Sequence, residues 1–173
     1  MRRKLLLVGL DWVRRKDPPV SLATASIAAA CASVADNVRT LTLNVNNAKP
    51  FVGDELTELL HDAIAGEGEG SSSWLVGLGG YVWAEHLLGD TMKNIKLALG
   101  RETRIVLGGP QVTYAPGGTF LPQHYPLADH FIRGDGEEAV RRLLLGGNAS
   151  PIGVPDLHTL PSPFLTGWLP PQR

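Results

Sequence analysis

The sequence predicts an α/β domain built on a doubly wound parallel sheet of five strands. Two observations predict it. Short, nearly continuous apolar runs alternate along the chain with segments whose apolar residues recur at the helical period. Glycine pairs follow the third and fourth of these runs, at Gly79-Gly80 and Gly108-Gly109, where strands of an open parallel sheet hand over to loops.

Lys4 to Leu10 reads as the first strand, apolar enough to be covered on both faces. Residues 11 to 19 form a polar loop ending in Pro18-Pro19. Ser21 caps a helix from Leu22 to Val34, whose alanines allow close packing on a sheet. Val38 to Val45 is the second strand, with Leu41, Leu43 and Val45 alternating against polar residues. Asp54 is expected to cap an amphipathic helix that buries Leu56, Leu59, Leu60, Ala63 and Ile64, with Gly66 ending it.

Trp74 to Leu78 is the third strand. A helix from about Trp83 to Leu99 follows, with Trp83, Leu87, Leu88, Met92, Ile95 and Leu99 on its buried stripe and Gly100 closing it. The fourth strand is Arg104 to Leu107, and Pro110 stops its ladder. Residues 111 to 127 read as loop with one short turn. Asp129 to Ile132 is a short fifth strand. A last helix runs to Leu145, with Asp135 and Glu138 at capping-box spacing. The predicted order is 2-1-3-4-5, a Rossmann-like sheet in flavodoxin-like order, with a crevice at the carboxyl ends of strands one, three and four. Residues 1–147 form this domain. Residues 148–173 form a proline-rich arm or linker, on which Phe164, Leu165 and Trp168 are expected to dock.

Composition narrows the function. The 173 residues carry 19% charged side chains and a net charge of -1, which argues against a nucleic-acid surface. Arg14, Arg15 and Lys16 read as solvated loop charge. No run is long enough to span a bilayer, and the N-terminal apolar run lacks a cleavage pattern, so the expectation is a cytoplasmic protein without a membrane partner. Cys31, the single cysteine, reads as a small buried hydrophobe; alone it can hold neither zinc nor an iron-sulfur cluster. The five histidines form no spaced metal motif.

The loops that reach the crevice are 11–19, 79–81, 108–111 and 133–137. Two of them are glycine pairs, which together predict a smooth floor suited to a flat, bulky ligand, with Tyr81 and Gln111 as rim groups. A dinucleotide is disfavoured, because Val8-Gly9-Leu10-Asp11-Trp12 lacks the Gly-x-Gly-x-x-Gly turn. The glycine-rich stretch at 66 to 73 lacks the Lys-Ser or Lys-Thr ending of a phosphate loop. Asp135, Glu137 and Glu138 are explained by capping and solvation. Asp11 stands where such sheets often place a catalytic carboxylate, but the sequence gives it no partner.

Three segments in this order carry a resemblance: Val106-Leu107-Gly108-Gly109-Pro110, Phe131-Ile132-Arg133-Gly134-Asp135-Gly136-Glu137-Glu138-Ala139, and Leu157-His158-Thr159-Leu160-Pro161-Ser162-Pro163. With Gly77-Leu78-Gly79-Gly80-Tyr81-Val82-Trp83, the pattern resembles the N-terminal cobalamin-binding domain of B12-dependent radical SAM enzymes, over residues 4 to about 166. The resemblance implies a sheet that holds a flat corrin over its carboxyl edge and takes the nucleotide tail near the glycine pair. Carried over, the cofactor-binding residues are Gly79, Gly80, Tyr81, Gly108, Gly109, Pro110, Gln111, Arg133, Gly134, Asp135, Gly136 and Glu137, with Val76, Leu78, Val106 and Leu107 as apolar walls.

The pattern departs from the family in three places. The loop after strand one has no Asp-x-His-x-x-Gly, so the implied cobalamin is base-off with no histidine on cobalt. Gly79 and Gly80 stand where relatives carry a small hydroxyl near the tail. There is no Cys-x-x-x-Cys-x-x-Cys, so the chain holds no iron-sulfur cluster and does not cleave S-adenosylmethionine by itself. The implied partner is a radical SAM protein or a missing catalytic domain, with methyl transfer as the reaction it serves. A module of the same lineage that has lost the cofactor and mediates interactions is the alternative. Homodimerisation through the arm stays open.

Overall fold

The computed structural model describes residues 3–46, 53–65, 74–149, 156 and 158–170. Its centre is a five-stranded, all-parallel sheet in the order β2-β1-β3-β4-β5. The strands are β1 (Lys4–Asp11), β2 (Asn37–Asn44), β3 (Trp74–Gly79), β4 (Arg104–Gly108) and β5 (His130–Phe131). The helices are α1 (Leu22–Cys31), α2 (Gly53–Ile64), α3 (Glu85–Leu99), α4 (Pro110–Thr113), α5 (Phe120–His124) and α6 (Glu137–Leu144). The predicted fold class and strand order are those observed.

Strand parity sorts the core into two layers. Leu6, Val8, Val76, Leu78, Ile105 and Leu107 point to one face, where Leu56 and Leu60 of α2 and Leu88, Met92 and Ile95 of α3 cover them. Leu5, Leu7, Leu75 and Val106 point to the other, under Ala28 and Cys31 of α1 and Val140 and Leu143 of α6. The alanines of α1 bring its backbone close to the sheet, and α1 lies against α6. Cys31 is fully buried there, and burial pushes its thiol up to about 12, which makes it the inert hydrophobe expected of it.

Several local expectations are corrected. Helix α2 starts at Gly53, so Asp54 lies in its first turn instead of capping it; there its charge still favours the positive end of the helix dipole. Leu59 stays 36% exposed at the edge of the α2 stripe, while Leu56 and Leu60 are fully buried. Helix α3 begins at Glu85, after Trp83, which is 42% exposed. The Trp83 ring stacks on Tyr81 at 4.6 Å, and its indole N–H donates to the Leu10 carbonyl at 3.1 Å, so a polar tether takes the place of core burial. Residues 111 to 127 hold two short helices, because Pro110 sits at the start of α4, where its missing N–H costs nothing. Helix α6 has Gly136 as its N-cap, and no side chain bonds the first amides, so the Asp135–Glu138 capping box does not form.

Other expectations hold. Ser21 accepts from the Thr24 amide at the start of α1, and Gly100 closes α3 at φ 92. The stretch at 66 to 73, including Gly66, lies outside the described residues. In the proline-rich segment, Leu169 is buried and Trp168 packs on the α1/α6 core, whereas Phe164 and Leu165 are 53% and 91% exposed. Among the described residues of the segment, Ala149 and Trp168 pack on the core and Leu169 is buried, while the expected docking residues Phe164 and Leu165 are exposed.

Candidate functional site

The α1/α6 face of the sheet is missing side chains where it should be fullest. Gly77 of β3 pairs with Leu7 and Val106, and Gly79 pairs with Gly108. Gly9, two residues beyond Leu7 on β1, extends this bare row. The gap is a cavity of about 250 Å³ between the sheet and α1 and α6. Its floor is Gly9, Gly77, Gly79 and Gly108, and its apolar walls include Leu7, Ile27, Val106, Ile132 and Val140.

The floor is bare because neighbours fold over it. A Cβ at Gly77 would lie 2.7 Å from Leu7 Cδ2, and one at Gly79 would lie 2.8 Å from the Tyr81 ring. A Cβ at Gly9 would lie 2.6 Å from Asp11 Oδ2, and one at Gly136 would lie 2.9 Å from Ile27 Cδ1. Gly108 differs. A Cβ there meets only ordinary contacts with Ile132 at 3.7 Å.

Of the residues expected to bind a cofactor, Gly79, Tyr81, Gly108, Gly109, Gly134, Asp135, Gly136 and Glu137 line this cavity. The other four have different work. Gly80 donates its amide to the Gly108 carbonyl at 2.6 Å and accepts from the Gln111 amide at 3.1 Å, which closes the two glycine loops on each other. Pro110 is exposed and opens α4. The Gln111 side chain donates to Glu85 at 2.8 Å. Arg133 donates to the carbonyls of Thr113, Ala115 and Pro116, at 3.2, 2.7 and 2.7 Å. It therefore satisfies the chain after α4 and points away from the cavity. The expected wall Val106 is found in the lining; Leu78 is in the lining too, but its side chain, like those of Val76 and Leu107, faces the α2/α3 core by strand parity.

Polar side chains line the cavity in two places. Asp11, Thr24 and Tyr81 line the cavity, and Ser21 donates to the Thr24 hydroxyl at 3.0 Å. Asp11 Oδ2 is buried with no hydrogen-bond partner. Burial raises the Asp11 pKa, partly offset by the Ser21 hydroxyl, and burial followed by the nearby Asp11 charge raises that of Tyr81. Asp135 and Glu137 stand at the far side of the lining, at the start of α6.

Beyond the cavity, the loops at the carboxyl edge carry exposed apolar side chains. Trp12 is 65% exposed, Val82 71% and Tyr114 85%. Among the described residues, no group of histidine, cysteine and carboxylate side chains is placed to hold a metal ion. No helix there is long and apolar enough to cross a membrane.

Sequence reasoning missed Gly9, Gly77, Thr24 and Ile27 as lining residues. The signal for the glycines was strand parity: Gly9 and Gly77 share the face of Leu7 and Val106. The sequence matches no protein-family model and no curated protein. A solved structure described as PhdJ bound to substrate intermediate is similar over 83% of this chain and 49% of that one, at 13% identity and a TM-score of 0.30. This chain spans about half the length of that structure, and a likeness at this level carries no argument about function.

Proposed function

We propose that this chain is a cobalamin-binding module that carries or presents the cofactor to a radical SAM catalytic domain or partner, in the cytoplasm. The observation that carries the reading is the glycine-floored cavity beneath the carboxyl edge of β1, β3 and β4. Its walls are apolar and its polar groups stand beside Asp11 and at the start of α6, a lining that a flat nitrogen heterocycle with an attached sugar can use. The exposed Trp12, Val82 and Tyr114 on the adjoining edge offer apolar contact to a broad ring system.

The residues present fit the group. The cradle at Gly108 is one that a Cβ would fill, and the buried Asp11 oxygen lacks a partner. In this reading Gly108 makes room for the nucleotide tail, Gly9, Gly77 and Gly79 let Asp11, Leu7 and Tyr81 lie close to the sheet beside it, and Leu7, Ile27, Val106, Ile132 and Val140 keep water from it. Tyr81 bounds the opening. Cobalamin, when bound, supplies a cobalt centre that can carry a methyl group.

The alternative is an interaction module without cofactor. What favours it is the Gly80–Gly108 hydrogen bond, which seals the two glycine loops together where the sequence suggested an open floor. One experiment separates the two. Purified protein is mixed with hydroxocobalamin and passed through gel filtration. The carrier reading expects retained pigment with a base-off spectrum. A folded, colourless protein at high ligand concentration overturns it.

A further inference from the structure

The cavity lining contains a buried carboxyl oxygen that the fold leaves without a partner. Asp11 is the last residue of β1 and lies on the same face as Gly9. It folds back over that glycine, and its Oδ2 has no hydrogen-bond partner. An unpartnered buried oxygen costs stability, and native folds seldom retain one without another use for it. Ser21 hydrogen-bonds this carboxyl, and Oδ2, which has no partner, is the oxygen left for an occupant of the cavity.

We propose that Asp11 is the specificity-determining residue of this cavity, making the hydrogen bond to the ring nitrogen of the buried heterocyclic base. The inference rests on the cobalamin reading and deepens it. A base detached from cobalt has a free ring nitrogen, a hydrogen-bond acceptor that needs a donor once it is buried. The floor beneath it is glycine and the walls are hydrocarbon, so neither supplies one. Gly79 and Gly80, where a small hydroxyl was expected, have no side chain to offer. The Asp11 carboxyl does, in its neutral form, and its raised pKa favours that form. Thr24 and Tyr81 remain to meet the sugar hydroxyls.

The test compares two probes. Hydroxocobalamin has the nucleotide tail; cobinamide has the corrin without it. Affinities are taken from absorption titrations for wild type, Asp11→Ala and Asp11→Asn. Asp11→Ala should weaken hydroxocobalamin binding about tenfold, the loss of one hydrogen bond, and leave cobinamide unchanged. Asp11→Asn keeps a donor and should recover most of that loss. Equal affinity of Asp11→Ala and wild type for hydroxocobalamin overturns the role of Asp11 and leaves the carrier reading intact. Equal loss for both probes also overturns it, as a general disturbance. Wild type that binds neither probe overturns the carrier reading and this inference with it. Should Asp11→Ala not fold, Asp11→Leu replaces it, and failure of both to fold assigns Asp11 a structural role and overturns the proposal.

Discussion

The Gly80 amide donates to the Gly108 carbonyl at 2.6 Å, so the loops after β3 and β4 are joined backbone to backbone at the end of the sheet. The junction is tight. A Cβ at Gly109 would lie 3.0 Å from the Gly80 carbonyl oxygen, and Gly109 has φ 90 and ψ -177, a region that side chains avoid.

The two glycines of this pair should therefore separate on mutation. Gly109→Ala forces both strain and a clash and should destabilise the protein by about 1–3 kcal/mol. Gly108→Val places a β-branched side chain at the end of a strand, facing the cavity and in ordinary contact with Ile132. It should fold nearly as well as wild type and fill the slot. Urea unfolding of both variants checks the first half, and hydroxocobalamin titration of Gly108→Val the second.

Asp11 predicts a pH dependence of stability. Its folded pKa lies above the ordinary 3.8, so the fold favours the protonated carboxyl. That contribution is full below pH 3.8 and is lost as pH rises through the folded pKa. Asparagine does not titrate. The stability of Asp11→Asn relative to wild type should therefore grow as pH rises through this window and then level off. Tyr81 across the cavity, Asp17 in the loop before α1, and Asp135 and Glu137 at α6 are the ionisable groups around it, and all are common to both proteins. Paired urea curves at stepped pH measure the difference; a constant difference overturns the prediction.

Arg133 should prove structural. Its guanidinium holds the Thr113 carbonyl at the end of α4 and the Ala115 and Pro116 carbonyls beyond it, and the Gly134 amide donates to the Thr113 hydroxyl at 3.0 Å. Arg133→Ala should cost about 2 kcal/mol in urea unfolding. Arg133→Lys should recover less than half, since an ammonium lacks the planar fork.

At the sheet edge, Asp129 Oδ2 accepts from the Ile105 amide and from Lys96 Nζ, both at 2.8 Å. Asp129→Ala leaves the Ile105 amide of β4 without its acceptor and should cost about 1–3 kcal/mol. Lys96→Ala should cost less, because the carboxylate keeps the amide. Thermal melts of the two variants give the ranking.

The strands and their order were legible because each apolar run carries its own evidence. Lys4 to Leu10 and Trp74 to Leu78 are too short and too evenly apolar to be anything but covered parallel strands once helices separate them. The cavity was only half legible. Gly79 and Gly108 announce themselves by standing in pairs at strand ends. Gly9 and Gly77 are single glycines inside strands, and they become a floor only when β1, β3 and β4 lie in register. Arg133 was read as a cofactor-binding residue because sequence shows a charge but not the three carbonyls at and beyond the end of α4 that it meets. Trp83 was read as core from its spacing, yet the helix starts two residues later and the indole finds the Leu10 carbonyl instead.

The buried Cys31 thiol lends itself to a kinetic measurement. With its pKa at about 12 it is almost wholly protonated at neutral pH, and it sits in the layer that α1 and α6 share. A thiol reagent can reach it only when that layer opens, so the rate of labelling reports how often the two helices part. The same helices wall the glycine-floored slot. A molecule seated in the slot would hold them together, and its arrival would be read as a slowing of modification at a sulfur it never touches.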